Sequence, residues 1–139
     1  MAITVHCDIV SAEQEIFSGA VQSLVAAGSY GDLGIMPGHA QLLTTLQPGP
    51  VRVIKENGDE ENIFVSGGFL EVQPHRITVL ANTAIRARDL DEDAAQKSKQ
   101  HALELLAEQK PDVDYTRATA ELAEAMARLR TIQQFRDHN

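Results

Sequence analysis

The sequence VRVIKENGDEENIFV, residues 51–65, contains two β-rich segments on either side of a turn signal. Residues 51–55 and 62–65 are rich in the β-branched and aromatic side chains that favour strands. Asn57-Gly58 lies between them, and this dipeptide favours a type I′ hairpin turn because both residues tolerate a positive φ. We therefore predict an antiparallel hairpin in the middle of the N-terminal half.

Further β-rich segments surround this hairpin. Glycine and proline separate them, as in Pro48-Gly49-Pro50, which we expect to end one strand before the next begins. Short strands at close spacing with such turns predict a sandwich or barrel. The segments are residues 4–10, 20–27, 42–46, 69–72 and 76–80.

The run GDLGIMPGHA, residues 31–40, combines three glycines with a proline. Glycine allows backbone angles that other residues avoid, and proline fixes φ, so we predict a loop of defined shape. The run has no Gly-Lys-Ser/Thr for phosphates and no nucleophile beside a base. A docking surface is the favoured interpretation, and a purely structural turn is the alternative.

The sequence pattern changes after Arg86, since no glycine occurs beyond Gly68 and alanine becomes frequent. Asp89, followed three residues later by Glu92, resembles the capped start of a helix that can run to residue 109 or 110. Pro111 ends that helix, and Asp114 can cap a second one. We predict an α+β protein with a β domain over residues 1–86 and an antiparallel helical hairpin over residues 87–139.

Both helices have apolar stripes rich in small residues, which bury little area each and make the hairpin marginally stable alone. We expect the hairpin to pack against the β domain or a partner, and to be able to change its position. The outer face mixes acids and arginines at spacings of three and four, and Glu124 precedes Arg128 in the favourable i,i+4 order. A simple solvated face is the alternative interpretation. The stripes are Ala95, Ala102, Leu105 and Leu106 in the first helix, and Ala118, Leu122, Ala125, Met126, Leu129 and Ile132 in the second. The outer face holds Arg117, Glu121, Glu124 and Arg128.

Charge and composition exclude several classes of protein. The net charge of −8 argues against nucleic-acid binding and against adsorption to anionic lipid. No apolar run approaches the roughly 20 residues that cross a bilayer, so we expect a cytosolic protein or one held at a membrane through partners. Residues 115–139 hold four arginines against three acids, which suits an acidic partner surface. Arg130 and Arg136 have no obvious helical acid and are the best candidates for that contact.

Catalysis is not expected. The five histidines show no metal-ligand spacing, and the acidic run at residues 89–93 sits where a helix start favours negative charge. The single Cys7 excludes an internal disulfide, and we predict a buried, inert thiol. A stand-alone β-sandwich adaptor, whose helical hairpin binds one protein, remains an alternative function.

A series of short motifs resembles the epsilon subunit of bacterial F-type ATP synthases over the whole chain. That family has a flattened β-sandwich followed by an antiparallel two-helix hairpin and lies in the central rotor stalk. The resemblance implies a non-catalytic subunit without a cofactor, peripheral at the cytoplasmic face of the bacterial inner membrane, whose sandwich binds the gamma subunit and the c-ring. The motifs are Val10-Ser11-Ala12-Glu13, Phe17-Ser18-Gly19, residues 31–40, Val65-Ser66-Gly67-Gly68, Leu70-Glu71-Val72, Thr78-Val79-Leu80-Ala81, Ala84-Ile85-Arg86 and Leu90-Asp91.

The same resemblance implies roles for individual residues. In the c-ring contact these are Asp32, Met36, Gly38 and His39. The family's hairpin leaves rotation free when folded on the sandwich, and it blocks ATP hydrolysis when it extends beside gamma toward the catalytic alpha/beta hexamer. The basic residues that would meet the beta and gamma subunits in that inhibitory state are Arg117, Arg128, Arg130 and Arg136.

Some family members bind ATP on the folded hairpin through an aliphatic residue, Asp, two residues and Arg-Ala. Here Leu90, Asp91 and Ala95 match that motif, but Ala94 stands in place of the arginine. In the second helix Arg128 matches one arginine of the site, and Glu124 falls on the other. This chain has fewer cations and one more acid at these positions than the ATP-binding members, which disfavours binding of a polyphosphate. We therefore predict weak or no ATP binding.

Overall fold

A computed structural model describes residues 3–137 as eight strands followed by two long helices. The extreme residues of the two predicted domains, 1–2 and 138–139, lie outside this range, and so does His138. The strands are β1 (Val5–Ser11), β2 (Glu15–Gly28), β3 (Gly31–Ile35), β4 (Leu42–Lys55), β5 (Glu60–Val65), β6 (Gly68–Gln73), β7 (Arg76–Ala81) and β8 (Ala84–Arg86).

The strands form two layers that share their longest members. The N-terminal half of β2 pairs with β1 and the C-terminal half pairs with β3 and β4. Likewise, the start of β4 pairs with β6 and its end pairs with β2 and β5. Layer A is therefore β2–β1–β7–β6–β4, and layer B is β3–β2–β4–β5–β8. The α+β class is confirmed, with the sandwich before the helices.

β4 is one continuous strand, so the expected break at Pro48-Gly49-Pro50 is wrong. Leu46 pairs with Gly28 while Val51 pairs with Ala26, which leaves four β4 residues opposite Ala27. The extra residues form an irregularity where β4 passes from layer A to layer B. Proline is tolerated there because a bulge does not need every N–H of the strand.

The predicted hairpin of β4 and β5 forms, but its turn is not type I′. Gly58 has φ +91°, and no positive φ occurs at Asn57. The amide of Gly58 donates to the Lys55 carbonyl at 2.9 Å, and the amide of Lys55 donates to the Asp59 carbonyl at 2.8 Å. This is a three-residue loop in which a turn is followed by a glycine at positive φ. A positive φ is therefore needed at Gly58 alone, and not at both residues of Asn57-Gly58.

The core between the layers consists of large aliphatic side chains. Inward-facing residues alternate with outward-facing ones along each strand, as expected for a sandwich. Phe64 is fully buried but lies outside this core, because its β5 neighbours Ile63 and Val65 point inward. The largest core side chains include Ile9, Leu24, Ile35, Ile63, Leu70 and Ile77.

A short 3-10 helix, Ala87–Asp89, leads into α1 (Glu92–Glu108), and α2 (Tyr115–Asp137) returns antiparallel to it. The cap of α1 is Asp91 rather than Asp89, since Asp91 Oδ1 accepts from the Ala94 amide at 3.0 Å. Asp89 is the last residue of the 3-10 helix, so α1 begins later in the chain, at Glu92. Asp114 caps α2 as predicted, accepting from the Arg117 amide at 3.0 Å.

α2 is buried on two opposite sides, and the sequence pattern identified one of them. Ala118, Ala125 and Ile132 are buried along the predicted stripe. Ala127 and Thr131 are also fully buried, and at 3.6 residues per turn they lie on the side opposite Ala118. Met126 falls between these two sides and is 46% exposed, so its place in the stripe was wrong. One side faces α1, and the other faces β4 and β5.

Candidate docking surfaces

The glycine-rich run is half strand and half loop, which corrects the prediction of one loop. Gly31–Ile35 forms β3 and pairs with β2 across a two-residue turn that places Tyr30 fully in solvent. The backbone of a β-strand is an allowed conformation for glycine, so the run did not need to be a loop. Residues 36–41 then connect β3 in layer B to β4 in layer A.

The loop over residues 36–41 holds three of the four candidate c-ring residues. Met36 is 65% exposed, and Gly38 has φ +86°, a conformation that strongly favours glycine. The amide of His39 donates to the Met36 carbonyl at 3.1 Å, and His39 Nδ1 lies 2.7 Å from the Ala40 carbonyl oxygen. These bonds fix the loop and leave the Met36 side chain in solvent.

Asp32, the fourth candidate, lies on β3 rather than in this loop. It pairs with Ala27 of β2, and it lines a cleft of about 200 Å³ together with Arg52 and Gln134. Gln134 belongs to α2. The structure therefore sets Asp32 beside the end of the helical hairpin, apart from the loop residues with which it was grouped.

α2 covers the outer face of layer B around Phe64. The Arg128 guanidinium lies 5.0 Å from the Phe64 ring centroid and pairs with Glu124 at 3.0 Å. A guanidinium over an aromatic face is attracted to the ring while its alkyl stem covers apolar surface. Arg128 is thus half-buried against the sandwich, which corrects its placement on the outer face of the hairpin.

The crossing of β4 also contacts α2. Arg130 Nη2 donates to the Pro48 carbonyl at 3.4 Å. A side chain at Gly49 would meet Ala27 at 2.8 Å and the Arg130 guanidinium at 3.4 Å, so glycine permits the close approach of β4 and α2. Asn62 is buried at 5% exposure, two residues before Phe64 and on the same face of β5, and its Oδ1 has no hydrogen-bond partner among the described residues.

Arg136 joins the two ends of the hairpin. Its Nη1 donates to Glu92 Oε1 at 3.2 Å, and its Nη2 contacts Glu92 Oε2, so the pair is bidentate. The hydrogen bond and the charge of Glu92 raise the pKa of Arg136 above its ordinary value. The sequence offers Arg136 no acid at helical spacing within α2, and the structure supplies one from the other helix. The guanidinium of Arg117 makes no hydrogen bond or ion pair with another residue in the described range.

The residues of the degenerate ATP motif lie at or near a cleft of about 310 Å³ between the helices. Ala95 and Arg128 line this cleft together with the carboxylates of Glu121 and Glu124. Asp91 is engaged as the cap of α1, and Leu90 is half-buried before it. Two carboxylates face the space that a polyphosphate would need, and one of them holds Arg128. These residues do not fit the ligand.

Glu121 links the two helices, so it faces α1 rather than solvent. Ser98 Oγ donates to Glu121 Oε1 at 3.1 Å, and His101 Nδ1 lies 3.3 Å from the same oxygen. The predicted outer face of the hairpin is therefore divided: Glu121 bonds α1, Arg128 packs on the sandwich, and Arg117 is exposed.

The outer face of layer A combines exposed apolar side chains with a polar cluster. Phe69 pairs with Leu80 across β6 and β7, and these side chains are 51% and 49% exposed. Leu43 of β4, opposite Glu71, is 69% exposed. The sequence predicted no docking role for these residues, although their alternation with core positions in each strand was a usable signal.

The polar cluster on this face is centred on Asp8. Ser18 Oγ donates to Asp8 Oδ1 at 2.7 Å, His6 Nε2 lies 3.0 Å from the same oxygen, and Arg76 Nη1 donates to Oδ2 at 2.5 Å. Burial raises the pKa of Asp8, but the bonds from Ser18 and His6 and the charges of His6 and Arg76 outweigh it and leave that pKa below its ordinary value. The adjacent Cys7 is buried as predicted, and burial followed by the charge of Asp8 raises its pKa to about 12.

Membrane-spanning helices and metal clusters are both absent from the described residues. None of the helices within residues 3–137 is both long and apolar enough to cross a membrane. Over the same range, no three His, Cys, Asp or Glu side chains converge as a metal site would require.

The sequence of this two-layer sandwich and its helical hairpin matches two family models. One is described as the ATP synthase delta/epsilon chain beta-sandwich domain and matches residues 4–87. The other is the ATP synthase delta/epsilon chain long alpha-helix domain and matches residues 88–133. The molecule is therefore of the delta/epsilon class of ATP synthase subunits.

Bacterial relatives narrow this class. The ATP synthase epsilon chain of Chromohalobacter salexigens is 63% identical over 132 residues, covering 95% of this chain and 94% of that protein. The epsilon chain of Teredinibacter turnerae is 61% identical over 137 residues, covering 98% and 97%. The chain belongs to the ATP synthase epsilon chain family, which confirms the resemblance found in the sequence.

Solved structures share the fold. A chain of the Euglena gracilis mitochondrial ATP synthase, in an assembly of OSCP, F1 and c-ring, matches with a TM-score of 0.73 at 19% identity, covering 97% of this chain and 81% of that one. A chain of the Tetrahymena thermophila mitochondrial ATP synthase, in a central stalk and c-ring assembly, matches with a TM-score of 0.61 at 13% identity, covering 94% of this chain and 98% of that one.

Proposed function

We propose that this chain is the non-catalytic central-stalk subunit of a bacterial F-type ATP synthase. The sandwich joins the rotor, and so takes part in coupling proton flow to ATP synthesis, while the hairpin limits ATP hydrolysis. The observation that carries the proposal is a hairpin held on the sandwich by small side chains and arginines, in a chain 63% identical to a bacterial epsilon chain. The subunit would lie at the cytoplasmic face of the inner membrane through its partners.

The outer face of layer A is the proposed gamma-binding surface. Layer B is covered by α2, whereas Phe69, Leu80 and Leu43 of layer A stay exposed. Exposed aromatic and aliphatic side chains beside a charged cluster are typical of interface centres with polar rims. Arg76 is 55% exposed and can reach a partner while it holds Asp8.

Replacing Phe69 with Glu tests this surface. Because aromatic side chains at interface centres often contribute about 2 kcal/mol or more, we expect Phe69→Glu to weaken gamma binding by about tenfold or more. Leu103→Glu is the matched control, since Leu103 is 41% exposed on α1. Unchanged co-purification of Phe69→Glu with gamma would exclude this face, and a wild-type chain that fails to co-purify would favour the adaptor alternative.

The proposed c-ring surface is the loop of Met36, Gly38 and His39, with Asp32 on the preceding strand. Support comes from the exposed Met36 side chain and from the bonds that fix the loop. Asp32 is exposed and carries a charge that could pair with a basic group of the ring. Met36→Arg should lower proton-driven ATP synthesis in membranes more than Tyr30→Arg, which alters the exposed β2–β3 turn.

The hairpin is the proposed brake on hydrolysis. In the docked form Arg128, Arg130 and Arg136 contact the chain itself, and Arg117 is exposed. In an extended form these four cations would be free to meet acidic loops of the beta subunits beside gamma. The two forms need to differ by only a few kcal/mol for partners to shift their populations.

Truncation after Arg88 removes both helices and tests the brake. We expect the shortened chain to assemble with the alpha/beta/gamma complex and to inhibit ATP hydrolysis less than the full chain. Equal inhibition by the two forms would contradict a C-terminal brake. The assembly step is read separately by co-purification with gamma, so loss of binding is not mistaken for loss of inhibition.

Nucleotide is not the proposed ligand of the folded hairpin. Glu121 and Glu124 line the cleft where a polyphosphate would lie, and Ala94 supplies no cation. Like charges repel, so ATP binding should be weak or absent. Isothermal titration that gives a micromolar affinity for ATP would overturn this statement.

A further inference from the structure

We propose that the Glu92–Arg136 pair is a clasp that keeps the end of α2 folded against the start of α1, and so in its docked position, and that the clasp and the brake compete for the same Arg136 guanidinium. This inference rests on the proposed function, since the brake is the state against which the clasp acts. It concerns a contact within the chain, where the proposed function concerns contacts with partners.

The clasp lies where it can restrain the hairpin most directly. Glu92 is the first residue of α1, and Arg136 is in the last turn of α2, 44 positions later. Because the helices are antiparallel, these residues meet at the open end of the hairpin, away from the turn at residues 109–114. The open end is also where the chain leaves the sandwich, through Ala87–Asp89. A bond there ties the end of α2 to its anchor.

The geometry is that of a specific contact. Both terminal nitrogens of Arg136 reach separate oxygens of Glu92. A two-point pairing of guanidinium and carboxylate fixes orientation as well as distance. Arg136 also lies on the side of α2 that carries Ala118, Ala125 and Ile132, so the pair continues the α1–α2 contact to its end.

Opening the clasp does not require either helix to unwind. Glu92 is in the first turn of α1 and Arg136 is in the last turn of α2, which are the ends where each charge favours its own helix. The two helices therefore stay intact when the pair separates. Only this ion pair is lost, as expected for a contact that opens and closes.

The buried side chains that α2 contributes to its docked contacts are small, so we expect an exposed clasp to have a noticeable influence on docking. The interface of α2 uses small residues such as Ala127 and leaves Asn62 Oδ1 buried without a partner among the described residues. Unpaired buried acceptors disfavour the state that contains them. An equilibrium near balance responds to modest contacts, and a single exposed ion pair is a modest contact.

The clasp makes the two states of Arg136 exclusive. In the docked state both terminal nitrogens of its guanidinium are engaged by Glu92. Arg136 can bind an acidic surface of the catalytic complex only after its ion pair with Glu92 has broken. Removing Glu92 should therefore both free the hairpin and leave the braking cation in place, whereas removing Arg136 should free the hairpin and weaken the brake.

The test uses the full chain, with fluorescent labels at Asn57→Cys in the sandwich and Gln133→Cys in α2. Energy transfer between the labels reports docking, and the deeply buried Cys7 stays unlabelled. Glu92→Gln should raise the undocked fraction about two- to fivefold. Asp93→Asn is the matched control, because it removes one exposed negative charge from the same helix turn without touching the clasp.

Inhibition of ATP hydrolysis is then measured with the same variants in the assembled alpha/beta/gamma complex. Glu92→Gln should inhibit more strongly than wild type. Arg136→Gln should undock as readily but inhibit less than Glu92→Gln. At about 1 M salt, where the Debye length is about 3 Å, the difference in docking between wild type and Glu92→Gln should shrink.

A Glu92→Gln undocked fraction equal to that of Asp93→Asn would overturn the clasp. Greater undocking without stronger inhibition would support the clasp and overturn the brake, so the two proposals fail separately. Equal inhibition by Glu92→Gln and Arg136→Gln would overturn the competition for Arg136.

Discussion

The sandwich and the hairpin are buried by different kinds of side chain. Between the two layers lie large aliphatic residues such as Ile9, Leu24 and Leu70, each fully buried. The fully buried residues of the helices are Ala102, Ala127 and Thr131, which are small. Burial of apolar area contributes roughly 25 cal/mol per Å², so the layers gain more from packing than the helices do.

This difference assigns different roles to the two regions. A sheet of interlocked large residues resists deformation, because its packing is as dense as that of an organic crystal. A helix held by alanines and exposed arginines can leave its site at lower cost and remain a helix. These packing differences suit the proposed function, in which the sandwich joins the rotor as a rigid part and the hairpin changes its position.

The largest expected effect is in the sandwich. Leu24→Ala removes most of a fully buried side chain and should lower the free energy of unfolding by about 2–5 kcal/mol. Leu103→Ala on α1, where the side chain is 41% exposed, is the control and should change it by less than about 0.5 kcal/mol. Urea denaturation measures both. Similar losses from the two variants would mean that the regions do not differ in packing.

A second change acts on the hairpin alone. Ala127→Leu overfills the fully buried contact of α2 with the sandwich and should destabilise docking by about 1–3 kcal/mol. Hydrogen exchange should become faster in α2 and stay slow in β1, β2 and β7. Ala120→Leu, at an exposed position of α2, should leave exchange unchanged. Faster exchange throughout the sandwich would instead show that the two regions unfold as one unit.

A third change should strengthen docking. Asn62→Leu replaces a buried amide, whose Oδ1 is unpaired within residues 3–137, by an apolar group of similar size. Removing an unmet acceptor should stabilise the docked form by about 1 kcal/mol. The measurement is the protection of α2 amides relative to wild type. Weaker protection would indicate that Asn62 is bonded in solution and that its amide supports the docked interface.

The smallest expected effect is on the pH dependence of the sandwich. The folded protein holds the pKa of Asp8 below its ordinary value. Ionised Asp8 therefore stabilises the fold above the unfolded pKa of about 3.9, and this stabilisation is lost as the pH falls through the folded pKa. Asp8→Asn should flatten the acid side of the stability curve by less than about 1 kcal/mol, since Arg76 is more than half exposed. If Asp8→Asn still loses stability steeply at acid pH, other carboxylates are responsible for that loss.

Local signals in the sequence located most of the fold. Asp114 capped α2 as expected, and the β4–β5 hairpin formed around Asn57-Gly58. The errors arose where tertiary pairing overrides a local preference. Pro48 and Pro50 lie inside β4 because the strand changes layers there, and Gly31–Ile35 is a strand because β2 pairs with it.

The candidate surfaces were only partly accessible to sequence reasoning. The resemblance selected Asp32, Met36, Gly38 and His39, but a motif does not reveal that Asp32 faces Gln134. Periodicity found the side of α2 that meets α1 and missed the side that meets layer B. Two opposite buried sides cancel in a search for one apolar stripe, so Ala127 and Thr131 gave no signal.

The passage of β4 between the layers has a mechanical consequence. One unbroken backbone begins beside Phe69 on the proposed gamma face and continues, through Pro48 and Gly49, beneath Arg130 of α2. This strand is a direct covalent path from one wall of the sandwich to the place where α2 packs on the other wall. Torque borne by the subunit during rotation would therefore be felt at the point where its hairpin rests.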